Sequence, residues 1–131
     1  MSFNMYVPTR ILFGIGQLNE LHKQALPGKK AMIVISNGKS TRVNRYLNRV
    51  EQQLKLAGVE SVVFDKVQTN PLKETDMDGA AFAKENSCDF VLGLGGGSVI
   101  DSAKAMAVMP TAICGIAMAT MAVWRLVWIV W

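Results

Sequence analysis

Cysteine and histidine are scarce in this chain, and that scarcity removes whole classes of chemistry. There are two cysteines, Cys88 and Cys114. They stand far apart in sequence, so they outline neither a disulfide framework nor a Cys-x-x-Cys metal site. Reduced thiols in a cytoplasmic protein are the expected state. There is one histidine, His22. A protein-held metal needs several ligands, and a lone histidine does not make such a site. His22 falls on the apolar side of a short helical pattern and reads as packed or half-exposed. No metal ligand and no catalytic side chain is expected in the chain. Concentrated positive charge is missing too. The net charge is +4, but Lys29, Lys30, Lys39, Arg42, Arg45 and Arg49 are interrupted by apolar positions. That spacing describes a solvated face, not a nucleic-acid patch, which would show clustering or interleaved aromatics. Met1 to Met5 lacks a basic stretch followed by an apolar run, so no signal peptide is expected.

What is present is a core. Half of the 131 residues are hydrophobic and 18% are charged, which excludes a disordered chain and suits one domain. Phe3 to Gly16 reads as an extended segment with a strand at Arg10–Phe13, closed by Gly14-Ile15-Gly16. Leu18, Leu21, His22 and Ala25 then follow helical spacing, and Pro27-Gly28 stops them. Ala31–Ile35 is apolar without alternation, as in a parallel-sheet strand covered on both faces. A helix is expected from Thr41 to Ala57, with Val43, Tyr46, Leu47, Val50, Leu54 and Ala57 on one stripe and Gly58 as its terminator. Ser61–Phe64 is the next strand, Val67–Leu72 a loop, and Lys73–Glu85 a helix. Asp89–Leu94 is a strand, Gly95-Gly96-Gly97 a turn, and Ser98 to about Met109 a helix. This alternation predicts an α/β fold with a doubly wound, mostly parallel sheet. Ligands bind beyond the carboxyl ends of such strands, where the loops Ser36–Ser40, Val67–Leu72 and Gly95–Ser98 lie.

The third of these loops carries the chemistry. A buried strand runs into Gly95-Gly96-Gly97-Ser98 and then into a helix. Glycine lets a ligand approach the backbone without meeting a Cβ. The first helical turn offers unpaired N–H groups and the positive end of the dipole. Together they suit a phosphate or pyrophosphate. A tight strand-to-helix turn without a ligand is the bland alternative, and the strand and helix context favours the phosphate. Ser98 sits where a helix cap would sit, and Asp101 three residues on suits a capping box. Asp101 equally suits the orientation of a cofactor or substrate, and both roles stay open. Gly38-Lys39-Ser40 carries the last letters of a P-loop, but the upstream glycine is missing.

The run Gly95-Gly96-Gly97-Ser98-x-x-Asp101-x-x-Lys104 resembles the signature of the iron-containing (group III) alcohol dehydrogenases. Phe3-Asn4-x-x-x-Pro8-Thr9-Arg10-x-x-Phe13-Gly14-x-Gly16 looks like that family's N-terminal strand and turn. Val67-x-x-Asn70-Pro71 looks like its second nucleotide-side loop. Dehydroquinate synthases and glycerol dehydrogenases use a similar glycine turn, but the Phe3–Gly16 segment fits the alcohol dehydrogenases better. The resemblance implies a Rossmann-like N-terminal domain that binds NADP or NAD. In the full-length parent it implies a small alcohol or aldehyde substrate, Fe²⁺ or Zn²⁺ held by a C-terminal helical domain, and a homodimer. That helical domain is not expected within these 131 residues. Carried across, Gly96, Gly97 and Ser98 touch the pyrophosphate, with Gly95 beside them among the cofactor-binding residues, Asn70 and Pro71 line the cofactor groove, and Asp101 faces the cofactor–substrate junction. An acidic residue after the first long strand favours NAD in this family, because it repels a 2′-phosphate. Here Ser36-Asn37-Gly38-Lys39-Ser40 stands in that place, without a carboxylate. Gly38, Lys39 and Ser40 are therefore expected to meet the cofactor, with a lean toward NADP.

The resemblance covers residue 3 to about 109 and then stops. From Pro110 to Trp131 the only charge is Arg125, and all three tryptophans lie there. Residues 105–124 carry no charge over a length that could span a bilayer. A membrane anchor stays an alternative reading, although Pro110, expected to interrupt the helix, and Arg125 within the tail stand against it. An aberrant apolar tail, of the kind a frameshift produces, is the expectation for 110–131, beside a dinucleotide-binding domain at 1–109.

Overall fold

The computed structural model describes residues 14–113 and 126–129. The expected strand at Arg10–Phe13 and the family-like Phe3–Phe13 segment lie outside the described residues. Gly14-Ile15-Gly16 turns the chain, with Gly16 at φ 82°. A 3-10 helix at Gln17–Lys23 follows, and it buries Leu18 and Leu21. It is shorter than the expected amphipathic stripe, since Ala25 lies beyond it and is exposed. His22 is half-buried, and its Nδ1 stands 2.5 Å from Gln53 Oε1.

The order thereafter is β1 (Lys30–Ser36), α1 (Ser40–Val43), α2 (Tyr46–Leu56), β2 (Glu60–Val67), α3 (Lys73–Glu85), β3 (Phe90–Leu94), α4 (Gly97–Ile113) and β4 (Leu126–Ile129). All pairings are parallel and the sheet order is β2-β1-β3-β4. Ala31 to Ile35 are each 0% exposed, because β1 is central and both of its faces are covered. Ile33 and Ile35 point into one core with Leu47, Val50 and Leu54 of α2 and with the 3-10 helix. Met32 and Val34 point into the other, with Ala83, Ala103 and Met106 of α3 and α4. This is the doubly wound arrangement. Full burial of one such aliphatic side chain is worth about 1.5–3 kcal/mol. The layer of α3 and α4 is tight, since a Cβ at Gly79 would come 2.4 Å from Met106 Sδ.

The helix expected over Thr41–Ala57 is two helices. Arg45 breaks it with φ 59° and ψ 18°. The cause is a conflict of faces. Thr41 is buried, and so are Leu47, Val50 and Leu54. At 3.6 residues per turn, one continuous helix would place Thr41 roughly 150° away from that stripe. The left-handed residue reconciles the two faces and leaves Val43, expected on the stripe, 72% exposed. An L-residue in this region costs about 1–2 kcal/mol. Arg45→Gly is therefore expected to stabilise the fold by about 0.5–1 kcal/mol after glycine's own entropy cost, as read from the denaturant midpoint.

α4 continues through Pro110 to Ile113, so the proline does not end the helix as expected. It removes one N–H from the ladder, and the flanking turns carry the chain past it. Within the apolar tail, Leu126–Ile129 forms β4 on the edge of β3, with Val91 opposite Leu126 and Leu94 opposite Ile129. No helix among the described residues is long and apolar enough to cross a membrane.

Cys88 is a free, buried thiol in the α3–α4 core. Burial pushes it above its ordinary value of 9.0, because the thiolate is poorly solvated there. The unfolded chain therefore ionises first, and the folded state holds more protons above that pH. This contribution is fully present below about pH 9 and is lost as the pH rises further. In urea titrations, the stability advantage of the wild type over Cys88→Ala should shrink between pH 8 and pH 10.5.

Candidate functional site

Strand β1 sends its chain toward β2, whereas β3 sends its chain toward β4. The carboxyl ends of β1 and β3 thus flank the point where the sheet changes direction. The connecting chains part there and leave a crevice. A cavity of about 260 Å³ lies at this place. Its walls are the β1–α1 loop (Ser36, Asn37, Gly38, Ser40, Thr41), the start of the β2–α3 loop (Gln68, Thr69) and the turn from Gly95 to Val99. None of these residues is acidic, which suits an anion.

The glycines of the turn do different work. Gly95 has φ 156°, and a Cβ there would come 2.9 Å from Val99 Cγ2. It is needed by the protein itself, to turn the chain over buried Val99. At Gly96 and Gly97 a Cβ would meet no protein atom within 4 Å. Those positions border open space, so bare backbone faces the cavity. Ile100 N–H closes onto Gly96 O at 3.1 Å. The N–H groups of residues 97–99 precede that first bond of α4, as the first turn of any helix requires. Their partial positive charge, the helix dipole and the absence of acidic residues from the cavity walls favour a phosphate.

Hydrogen bonds tie the three loops together. Asn37 N–H donates to Val67 O at 2.8 Å. The Ser98 hydroxyl donates to Thr69 O at 2.6 Å. Outside the cavity, Arg42 of α1 pairs with Asp65 of β2.

Six of the residues expected to meet a cofactor come together here: Gly38, Ser40, Gly95, Gly96, Gly97 and Ser98. Lys39 is exposed just before α1 and does not line the cavity. Asn70 and Pro71 follow directly after the wall formed by Gln68 and Thr69 and are not part of it. Asp101 is exposed, with its carboxylate 3.8 Å from Lys104 Nζ. The capping box is not formed. α4 begins at Gly97, two residues too early for Ser98 to cap it, and the Ser98 hydroxyl is turned to Thr69. Ser36, Asn37, Thr41, Gln68 and Thr69 went unnamed as individual site residues. The signal of Ser36, Asn37, Gln68 and Thr69 was positional, since each lies at or just past the carboxyl end of a strand, whereas Thr41 is brought to the cavity by α1. Among the described residues, no group of three His, Cys, Asp or Glu is placed to hold a metal ion. The iron or zinc that the resemblance implies therefore finds no fitting site among them.

The chain thus carries a parallel α/β sheet with a glycine-lined crevice, free of acidic side chains, at its switch point. The family model of the iron-containing alcohol dehydrogenases matches residues 8–125, and the chain belongs to that family. It is 35% identical over 106 residues to a protein of Bacillus subtilis named as a probable NADH-dependent butanol dehydrogenase. It is equally identical, over the same length, to the NADPH-dependent aldehyde reductase YqhD of Escherichia coli. Each match covers 81% of this chain and 27% of the relative. Among solved structures, E. coli YqhD superposes with a TM-score of 0.72 at 31% identity, over 92% of this chain and 29% of that one. A butanol dehydrogenase of Thermotoga maritima superposes at 0.69 with 33% identity, over 81% and 27%. The chain thus spans a little over a quarter of the length of these relatives.

Proposed function

We propose that this chain is the nicotinamide-dinucleotide-binding part of a metal-dependent alcohol dehydrogenase and that its crevice holds the cofactor's pyrophosphate. The observation that carries this reading is the open backbone at Gly96 and Gly97, where an added Cβ meets nothing of the protein. The cavity is smaller than the roughly 300–1,000 Å³ that enclose a whole small molecule. It suits the phosphates and the nearest ribose, with the rest of the dinucleotide lying across the rim formed by the β1–α1 loop. When bound, the dinucleotide supplies the hydride acceptor for an alcohol or the donor for an aldehyde. The protein's share is to bind and orient it through the N–H groups at the start of α4. With no carboxylate in the Ser36–Ser40 loop to repel a 2′-phosphate, and with Lys39 exposed beside it, the loop favours NADP over NAD.

Calorimetry with NADP and NAD tests the binding, with heat of association expected for at least one and the tighter Kd for NADP. The chain alone is expected to give no NAD(P)H-linked alcohol oxidation when Fe²⁺ or Zn²⁺ is added, because its described residues assemble no metal site. Absence of heat with either dinucleotide, or robust turnover by the chain alone, would contradict the respective half of the proposal.

A further inference from the structure

The Ser98 side chain faces the candidate crevice, yet its hydroxyl proton is already placed. It is donated across to Thr69 O at 2.6 Å, between residues 29 apart in sequence. A serine hydroxyl has one proton to give. Given to a carbonyl, it is not available to a phosphate oxygen. Two residues earlier on the same strand-end segment, Val67 O accepts the Asn37 N–H at 2.8 Å. The short stretch from Val67 to Thr69 is thus fastened on one side to the loop after β1 and on the other to the loop before α4. Gln68 sits between the two fastenings, and with Thr69 it forms the middle wall of the cavity.

We infer that Ser98 is a positioning residue: its hydroxyl clasps Thr69 and holds Gln68 and Thr69 as a fixed wall of the crevice. The phosphates are then met by the backbone N–H groups of the turn and not by the serine side chain. This inference rests on the dinucleotide reading for its binding consequence, but the clasp is a property of the chain without ligand. With the clasp cut, the wall segment is held at the Val67 end only. A ligand that touches the wall must then order it on binding, and its affinity falls. A ligand confined to the turn is spared. Loss of one such hydrogen bond corresponds to roughly a tenfold change in Kd.

The test uses the whole chain as Ser98→Ala, Ser98→Cys and Ser98→Thr. The cysteine variant keeps the size but bonds weakly, and the threonine variant keeps the hydroxyl. Amide exchange at residues 68–70 is measured without ligand, and Kd is measured for NADP and for inorganic pyrophosphate. The expected result for the alanine and cysteine variants is faster exchange at 68–70, about tenfold weaker NADP binding and a less than twofold change for pyrophosphate. Threonine should restore wild-type behaviour. An equal loss for pyrophosphate and NADP would make the Ser98 hydroxyl a direct phosphate ligand and overturn the inference, as would unchanged exchange at 68–70. If the wild type binds neither probe, the dinucleotide reading fails, while the exchange comparison still decides whether the clasp exists. Should alanine unfold the chain, the cysteine and threonine pair carries the same comparison.

Discussion

Gly97→Val is expected to abolish dinucleotide binding, a loss of 100-fold or more in Kd, or about 3 kcal/mol, while the fold survives. A Cβ at this position meets no protein atom within 4 Å, so the isopropyl group enters the crevice and not the core. The residue opens α4, where a β-branched residue costs the helix little relative to glycine. The substitution therefore acts on whatever occupies the space. Calorimetry reads the binding and circular dichroism reads the fold. Retained binding with an intact fold would mean that the phosphates lie elsewhere.

Two positions earlier, the same replacement should have the opposite signature. Gly95→Val places a branched side chain at φ 156° and drives its Cβ to 2.9 Å from Val99 Cγ2. Val99 is 4% exposed and packs in the α3–α4 core, so it has little room to yield. Backbone strain of about 1–3 kcal/mol adds to overpacking of about 1–3 kcal/mol. Small domains have only about 5–15 kcal/mol in total. The expected outcome is a chain that is largely unfolded or melts far below the wild type, seen in the thermal transition. Wild-type stability in this variant would mean that the turn is not held as described. The pair separates two roles of one glycine run, the first residue serving the protein and the third serving the ligand.

Much of this architecture was legible in the residues. Ala31–Ile35 and Phe90–Leu94 declare themselves because a strand buried on both faces must be apolar throughout. α3 could be placed from Lys73 to Glu85 because Pro71 holds the preceding residue out of the helical region, and the helix ends at Glu85 as expected. The break at Arg45 was not legible. It arises because Thr41 and Leu47 must both turn inward, a demand made by the sheet and not by any local breaker. β4 was missed for a related reason. Leu126–Ile129 is apolar in a setting of apolar residues, and only the free edge of β3 selects it as a strand. At the site, the glycine turn was readable because its requirement is steric and therefore written in residue type. Gln68 and Thr69 were not, since their place in the wall comes from hydrogen bonds to Val67 O and Thr69 O, which any residue can supply. Ser98 illustrates the limit from the other side. Its letter fits a cap, but a carbonyl 29 residues away is the better partner.

The sheet order also governs how the chain comes together in time. β1 pairs with β2, which follows it closely, but its other edge is covered by Phe90–Leu94, about sixty residues downstream. As the chain emerges from the ribosome, the wholly apolar run Ala31–Ile35 is made early and keeps one side bare until β3 has been synthesised. Such distant pairings assemble slowly, and an unpaired apolar edge invites the wrong neighbour in the interval. The yield of folded protein should therefore depend on how fast translation delivers the residues around Phe90.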